Sequence, residues 1–312
     1  MANELAENIE RVRLTHPVAA QTSEELLRKA KNLFQGQLQH LVDRHGAAFW
    51  DRAERLTGYS QALGGKPAEA LIDYTMAYLK EQVQFLQTGE YSNTDFDVVF
   101  RDVYDNPEVM EGFYLHGLML THAFWPIHFD MHQFFVEEFL SRVPDQGTGA
   151  EYGFGHGLYL AEVLSHKPGA RAKGFDISKY SVEYAKKLLS HAGVDPERVE
   201  FGFADVRKRF DCPDGAFAWA IFAEIIEHIP DPKSALLELR RCMKKRAPLF
   251  ATTVIDSNAI DHLFQFKDIA AVRAMLQASG FAIVAERVLR VSDYGSKVRD
   301  PSVDIALVCE AV

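Results

Sequence analysis

The run Glu151 to Gly157 reads EYGFGHG and places glycines at 153, 155 and 157 just before the helical stretch LYLAEVLSH. Glycines at such a turn let backbone approach a ligand closely and open a helix whose amide end faces it. Asp176, in GFDIS, lies 25 residues beyond Glu151 at the end of the next apolar run, where a carboxylate can accept both hydroxyls of a ribose. Asp205, in VEFGFADVRKRF, ends the third run 29 residues later, where a carboxylate can take an exocyclic adenine amine. Either acid alone reads equally well as a helix cap or a turn residue. Their joint spacing after a glycine-rich turn points to nucleoside binding.

A fourth run, FAWAIFAEIIEHIPDP, ends in an acidic turn. The order ExGxGxG, GFDIS, a strand ending in AD and then EIIEHIPDP resembles class I S-adenosylmethionine-dependent methyltransferases, over about the last half of the chain. The resemblance implies S-adenosylmethionine as cofactor. It implies that Glu151, Gly153, Gly155 and Gly157 hold the methionine end, that Asp176 holds the ribose with Ile177 flanking the adenine, and that Asp205 takes the adenine amine with Ala204 beside it. Phe222 and Ala223 fall where the fourth strand meets the cofactor. The implied fold is α/β, a Rossmann-like sheet of seven strands whose last pair is antiparallel. FAIVAERVLRV and DIALVCEAV, with no helix between them, match that ending. Two departures stand out: QGTGAEYG is thin in apolar residues for a first strand, and Phe217 is followed by Ala218 where the family often has Asp.

The elements that must position these residues follow from periodicity. From Ser23 to about Arg142 apolar residues recur at three- and four-residue steps, broken by Gly64, Gly65 and Pro67. The block from Asn106 to Leu140 is apolar nearly all round and interrupted by Pro126, which predicts two buried helices meeting there. After Val143 short apolar runs alternate with helical stretches, the pattern of a parallel α/β sheet. The boundary is placed near 144–148, giving an all-α N-terminal domain over 1–145 and an S-adenosylmethionine-binding domain over 146–312. The helical domain is expected to act as a lid over the substrate, as a homodimer surface, or as both.

In an open α/β sheet the ligand lies beyond the carboxyl ends of the strands, so an acceptor should approach the rim made by Phe222 to His228 and Asp256 to His262. Across it, Tyr114 to His132 carries four histidines, at 116, 122, 128 and 132, together with Phe124, Trp125 and Phe129. An aromatic pocket with a few polar groups suits a small organic acceptor. His128 and Glu224 are the candidates beside the transferred methyl, with His228 as a further catalytic candidate. An imidazole with a pKa near 6.5 is well matched to removing an acceptor proton at neutral pH. His128 and His132 stand at i and i+4, a spacing compatible with metal ligands, but no acid of known geometry accompanies them and no residue is assigned to a metal.

A formal net charge of −10 and a pI near 5.7 argue against a general nucleic-acid binder. No run approaches a membrane span, and the amino terminus lacks the apolar stretch of a signal peptide. The three cysteines, 212, 242 and 309, are scattered and show neither a disulfide framework nor a zinc pattern, which suits a reducing cytoplasm. The reading is therefore a cytoplasmic methyltransferase of a small organic molecule, at nitrogen, oxygen or carbon. The alternatives are another S-adenosylmethionine-using transferase or cyclase on the same fold, and a non-catalytic cofactor-binding module.

Overall fold

Proline and glycine set the joints of the N-terminal half. In the computed structural model, which describes residues 2–294 and 300–312, α1 (Ala2–Val12) leads into α2 (Pro17–His45). Pro17 occupies the first turn of α2, where its missing N–H is not needed. Gly46, at φ 51°, ends α2 and begins α3 (Ala47–Ala62). After the Gly64–Gly65 break, Pro67 opens α4 (Pro67–Thr88), which left-handed Gly89 closes. Two short pieces, α5 (Phe96–Val99) and α6 (Pro107–Val109), are capped by the side chains of Asp95 and Asn106. Each runs into a five-residue π turn, Phe100–Tyr104 and Met110–Tyr114. As the sequence predicts, the apolar block divides at Pro126, into α7 (Leu115–Phe124) and α8 (Pro126–Phe134), followed by a third π turn at Phe135–Phe139.

The C-terminal half alternates as the periodicity implies: β1 (Gly147–Tyr152), α9 (Leu158–His166), β2 (Ala170–Asp176), α10 (Lys179–His191), β3 (Val199–Phe203), β4 (Ala220–Ala223), α11 (Pro232–Cys242), β5 (Pro248–Ile255), α12 (Ile269–Ala278), β6 (Phe281–Arg290) and β7 (Val303–Ala311). The sheet order is β3-β2-β1-β4-β5-β7-β6, with β7 antiparallel to both of its neighbours. The polar look of β1 has a packing reason. A Cβ on Gly149 would sit 1.9 Å from the Trp219 ring, so the strand gives up a side chain to let the fully buried indole lie against it. Sequence periodicity missed α12, where IAAVRAMLQA directly precedes the last strand pair.

One expectation is corrected. Cys212 and Cys242 form a disulfide with Cα atoms 6.3 Å apart, across 30 residues of sequence. The scattered spacing hid it because a tertiary clamp closes the interval. Arg241, at the end of α11, donates to the carbonyl of Cys212 and to the Asp214 carboxylate, while Phe217 pairs with Met243. Cys309 is free and buried.

The change of texture near 144–148 coincides with the start of β1, yet the hydrophobic core is continuous across it. One face of the sheet is covered by α9, α10 and the helical half; the other is covered by α11 and α12. Phe135 and Phe139 pack on Phe250 of β5, with ring centroids 4.9 and 5.7 Å apart. Buried Glu162 of α9 binds Arg55 of α3 at 2.6 Å and His132 of α8 at 3.1 Å. Burial alone would raise the Glu162 carboxyl, but these two partners hold it well below the usual carboxylate range. Residues 146–312 expressed alone should therefore expose Phe250 and Tyr159, bind a hydrophobic dye and aggregate. Size-exclusion chromatography showing a monodisperse fragment with a cooperative melt would contradict this shared core.

Candidate functional site

The carboxyl ends of β1, β2 and β4 face one cavity, about 1160 Å³ including its open mouth. At the end of β1, Gly153, Gly155 and Gly157 all have positive φ, 66°, 52° and 77°, a conformation that side-chain-bearing residues rarely adopt. The Gly155 N–H donates to one Asp176 carboxylate oxygen at 2.9 Å and the Ser178 N–H to the other at 2.8 Å. Asp176 thus fastens the glycine turn to the end of β2. Burial pushes its carboxyl up to about 6 despite those donors. Glu151, 3% exposed, is pushed well above its ordinary range by burial, and its Oε2 has no hydrogen-bond partner.

Eleven of the thirteen residues singled out from the sequence line this cavity: Glu151, Gly153, Gly155, Asp176, Ile177, Ala204, Asp205 and Ala223 on the cofactor side, with Glu224, His228 and His128. Gly157 and Phe222 do not. Gly157 begins α9 and lies against Ala185, while Phe222 is fully buried on the opposite face of the sheet. Asp205 is already engaged, accepting from the Arg207 guanidinium at 2.9 Å. Arg207 in turn lies 3.8 Å over the Phe96 ring, which ties the helical half to the end of β3.

Backbone strain marks the other end of the cavity. Glu224 and Asp256, after β4 and β5, are at φ 53° and 54°, which is uncommon for residues with a Cβ and costs about 1–2 kcal/mol each. Glu224 is held there by Thr252, whose hydroxyl accepts from its N–H at 2.9 Å and donates to its carboxylate at 2.5 Å. Burial raises the carboxyls of both Glu224 and Glu227, and the neighbouring Glu224 raises Glu227 further.

His128 is half-buried in the cavity wall, its Nδ1 2.7 Å from the Thr121 hydroxyl. Burial lowers it to about 4 rather than the ordinary 6.5. It is therefore neutral at pH 7 but a weaker base than an exposed imidazole. His122 forms the centre of a group with His128, His132 and His156, at ring distances of 5.5, 5.8 and 5.4 Å. Burial lowers all four.

Three residues that sequence reasoning did not single out hold the site together. Asp261, 1% exposed, accepts the hydroxyls of Tyr114 at 2.5 Å and Tyr104 at 3.1 Å on one oxygen. That oxygen also lies 3.6 Å from Nδ1 of His228. Burial raises the Asp261 carboxyl, but His228, His262 and the two phenols more than offset this and hold it below its usual range. Both tyrosines end π turns, and a π turn shifts the direction of the side chains that follow it. No periodic signal announces that shift.

A family model described as "Methyltransferase domain" matches residues 150–251, about a third of the chain. No curated protein matches. Among solved structures, a geranyl diphosphate methyltransferase in complex with SAM is 12% identical over 68% of this chain and 95% of its own, with a TM-score of 0.50. The cyclase SpnF is 19% identical over 56% and 79%, at 0.47. A sarcosine dimethylglycine methyltransferase, so described, from Galdieria sulphuraria is 10% identical over 62% and 88%, at 0.48. Together with the strand order, the family match identifies the C-terminal half as a class I methyltransferase domain.

If the Asp261 carboxylate anchors the helical half to the site, Tyr114→Phe should lower unfolding stability by about 1.5–3 kcal/mol, the usual range for losing a hydrogen bond to a buried charge. Urea denaturation monitored by tryptophan fluorescence would show it. A loss below about 0.5 kcal/mol would mean that the phenol contributes packing alone.

Proposed function

We propose that the chain is an S-adenosylmethionine-dependent methyltransferase whose acceptor is a small organic molecule held between the cofactor and the helical half. The observation that carries this reading is the cavity that runs from the glycine turn and Asp176 to Leu118, His122, His128 and Met131 of α7 and α8, while Phe124, Trp125, Phe129, His116 and His132 of the same segment lie outside its lining. Its lining is mostly apolar with a few convergent polar groups, the character of a small-molecule site. The acidic net charge supports a small acceptor over a nucleic acid. Among the described residues no helix is long and apolar enough to cross a membrane.

The residues present fit the cofactor. The orphaned buried oxygen of Glu151 can accept from an ammonium group at the methionine end, and a Cβ at Gly155 would meet open cavity rather than protein until 4.0 Å. Asp176 retains lone pairs for the ribose hydroxyls beyond its two backbone donors. When bound, S-adenosylmethionine supplies an electrophilic methyl on a sulfonium. The chain has then to hold the acceptor in line, exclude water and accept or route a proton. In-line placement alone can supply a large part of the rate. Tyr74, Met110, Leu118 and Met131 give the acceptor end an apolar wall. His128 and Glu224 lie on that cavity from opposite halves of the chain; among the described residues no hydrogen bond links them. We assign them to orienting the acceptor and taking its proton, with His228 beside them.

Asp176→Ala should weaken S-adenosylhomocysteine binding by about 1.5–3 kcal/mol, roughly tenfold to over a hundredfold. The pH dependence has a definite sign. Above about 6 Asp176 is a carboxylate that accepts both hydroxyls; below it a protonated acid accepts fewer, so affinity should fall as pH drops through that value. Calorimetric titration should show the fall in the wild type and a flatter profile in Asp176→Asn. Unchanged affinity in a folded Asp176→Ala protein would remove the residue from the cofactor site.

The reaction is tested by mass spectrometry of products formed from S-adenosylmethionine with a panel of small acceptors. Accumulation of S-adenosylhomocysteine supports methyl transfer, whereas methylthioadenosine would indicate a different bond broken. Once an acceptor is found, His128→Gln and Glu224→Gln should each lower turnover by about 10²–10⁴ with cofactor affinity preserved. Full turnover in both variants would leave proximity as the sole catalytic device.

A further inference from the structure

Beside the acceptor end of the cavity, Glu227, His228 and His262 offer one oxygen and two nitrogens, all within 4.8 Å of one another. The bonds made by their other atoms aim them. The Nδ1 of His228 lies 3.0 Å from the carbonyl of Asp261, and the Nδ1 of His262 lies 2.9 Å from the carbonyl of Ser257. A carbonyl only accepts, so on both rings Nδ1 carries the proton and Nε2 keeps its lone pair. Glu227 is fully buried, and its Oε2 accepts from the Thr253 hydroxyl at 2.8 Å. Its Oε1, 3.8 Å from Nε2 of His228, has no hydrogen-bond partner. Two lone pairs and an orphaned carboxylate oxygen thus converge with nothing donated to them.

We propose that Glu227 Oε1, His228 Nε2 and His262 Nε2 form a binding site for a divalent first-row transition-metal ion, with its remaining coordination positions open to the cavity. Ion bonds of about 2.0–2.2 Å set tetrahedral ligand atoms about 3.4 Å apart; the separations here need only a modest inward rotation of the side chains. Two imidazoles and one carboxylate select zinc, iron, cobalt or nickel over magnesium and calcium, which prefer oxygen. The surrounding shell also fits. Imidazoles that ligate metals characteristically donate their other N–H to a carbonyl or carboxylate, and here the Asp261 backbone and side chain serve His228 while Ser257 serves His262. The site stands on this geometry alone. One consequence rests on the methyltransferase reading: the acceptor would be a molecule that offers the ion a hydroxyl oxygen, such as a 2-hydroxy acid or a vicinal diol, and its hydroxyl proton would leave to solvent on coordination.

The test uses the full-length, tag-free chain after chelator treatment, titrated with Co(II) alone and followed by visible absorption and equilibrium dialysis. The expected result is one Co(II) per chain, with binding weakened about 100-fold or more in both His262→Ala and Glu227→Gln. Binding should be unchanged in His122→Ala, which probes the separate histidine group. Both ligand variants should keep their melting temperature within a few degrees, and the second substitution keeps the test valid if the first does not fold. The proposal is overturned if the wild type takes up no stoichiometric Co(II), if both ligand variants bind as it does, or if only His122→Ala loses binding. S-adenosylhomocysteine affinity, measured on the same samples, reports separately on the cofactor reading. Metal binding without it would overturn that reading and leave the metal site standing.

Discussion

One buried carboxylate, Asp261, constrains the end of the cavity nearest the helical half. Two phenols from the helical half and the imidazole of His228 from the loop after β4 gather around its side chain, which leaves solvent almost entirely. A buried charge is tolerated only when its lone pairs are met. Tyr104, Tyr114 and His228 are therefore held in one arrangement by electrostatic need as much as by packing. The two π turns matter because they bring both hydroxyls to the same oxygen, which ordinary helical spacing over those ten residues would not readily do.

The glycine-turn end is organised on the same principle with different groups. Asp176 is satisfied by backbone N–H donors from the glycine turn and from the start of α10, so the carboxylate shapes the turn before any ligand arrives. At the other end Glu224 is held in left-handed backbone by Thr252 of β5. Strain of this kind persists only where the surroundings over-determine it, and here it aims polar groups at one space.

Much of this was legible in the sequence because it is local. The alternation of apolar runs and helical stretches indicated a parallel α/β sheet, the helix-free final pair its antiparallel ending, and the family resemblance the count of seven strands; the breakers at Gly64, Gly65, Pro67 and Pro126 fell at true joints. The glycine turn with Asp176 could be read because both belong to contiguous signals at strand ends. The missed features depend on tertiary closure. Asp261 and Tyr104 are 157 residues apart, and Cys212 meets Cys242 through the clamp at Arg241. Burial, which a residue's type does not state, moved His128 away from the pKa that made it attractive as a base. The helical half likewise read as a separate unit because its period differs, although Phe135, Phe139 and Phe250 share one core with the sheet.

That shared core limits how the molecule can open. A covering layer joined to its base by a loose seam can swing, but parting this one would expose the aromatic cluster around Phe250 and leave the Glu162 charge without its partners, so a hinged motion of the whole half is energetically closed. Whatever enters or leaves the cavity must instead pass its open mouth while the two halves stay together.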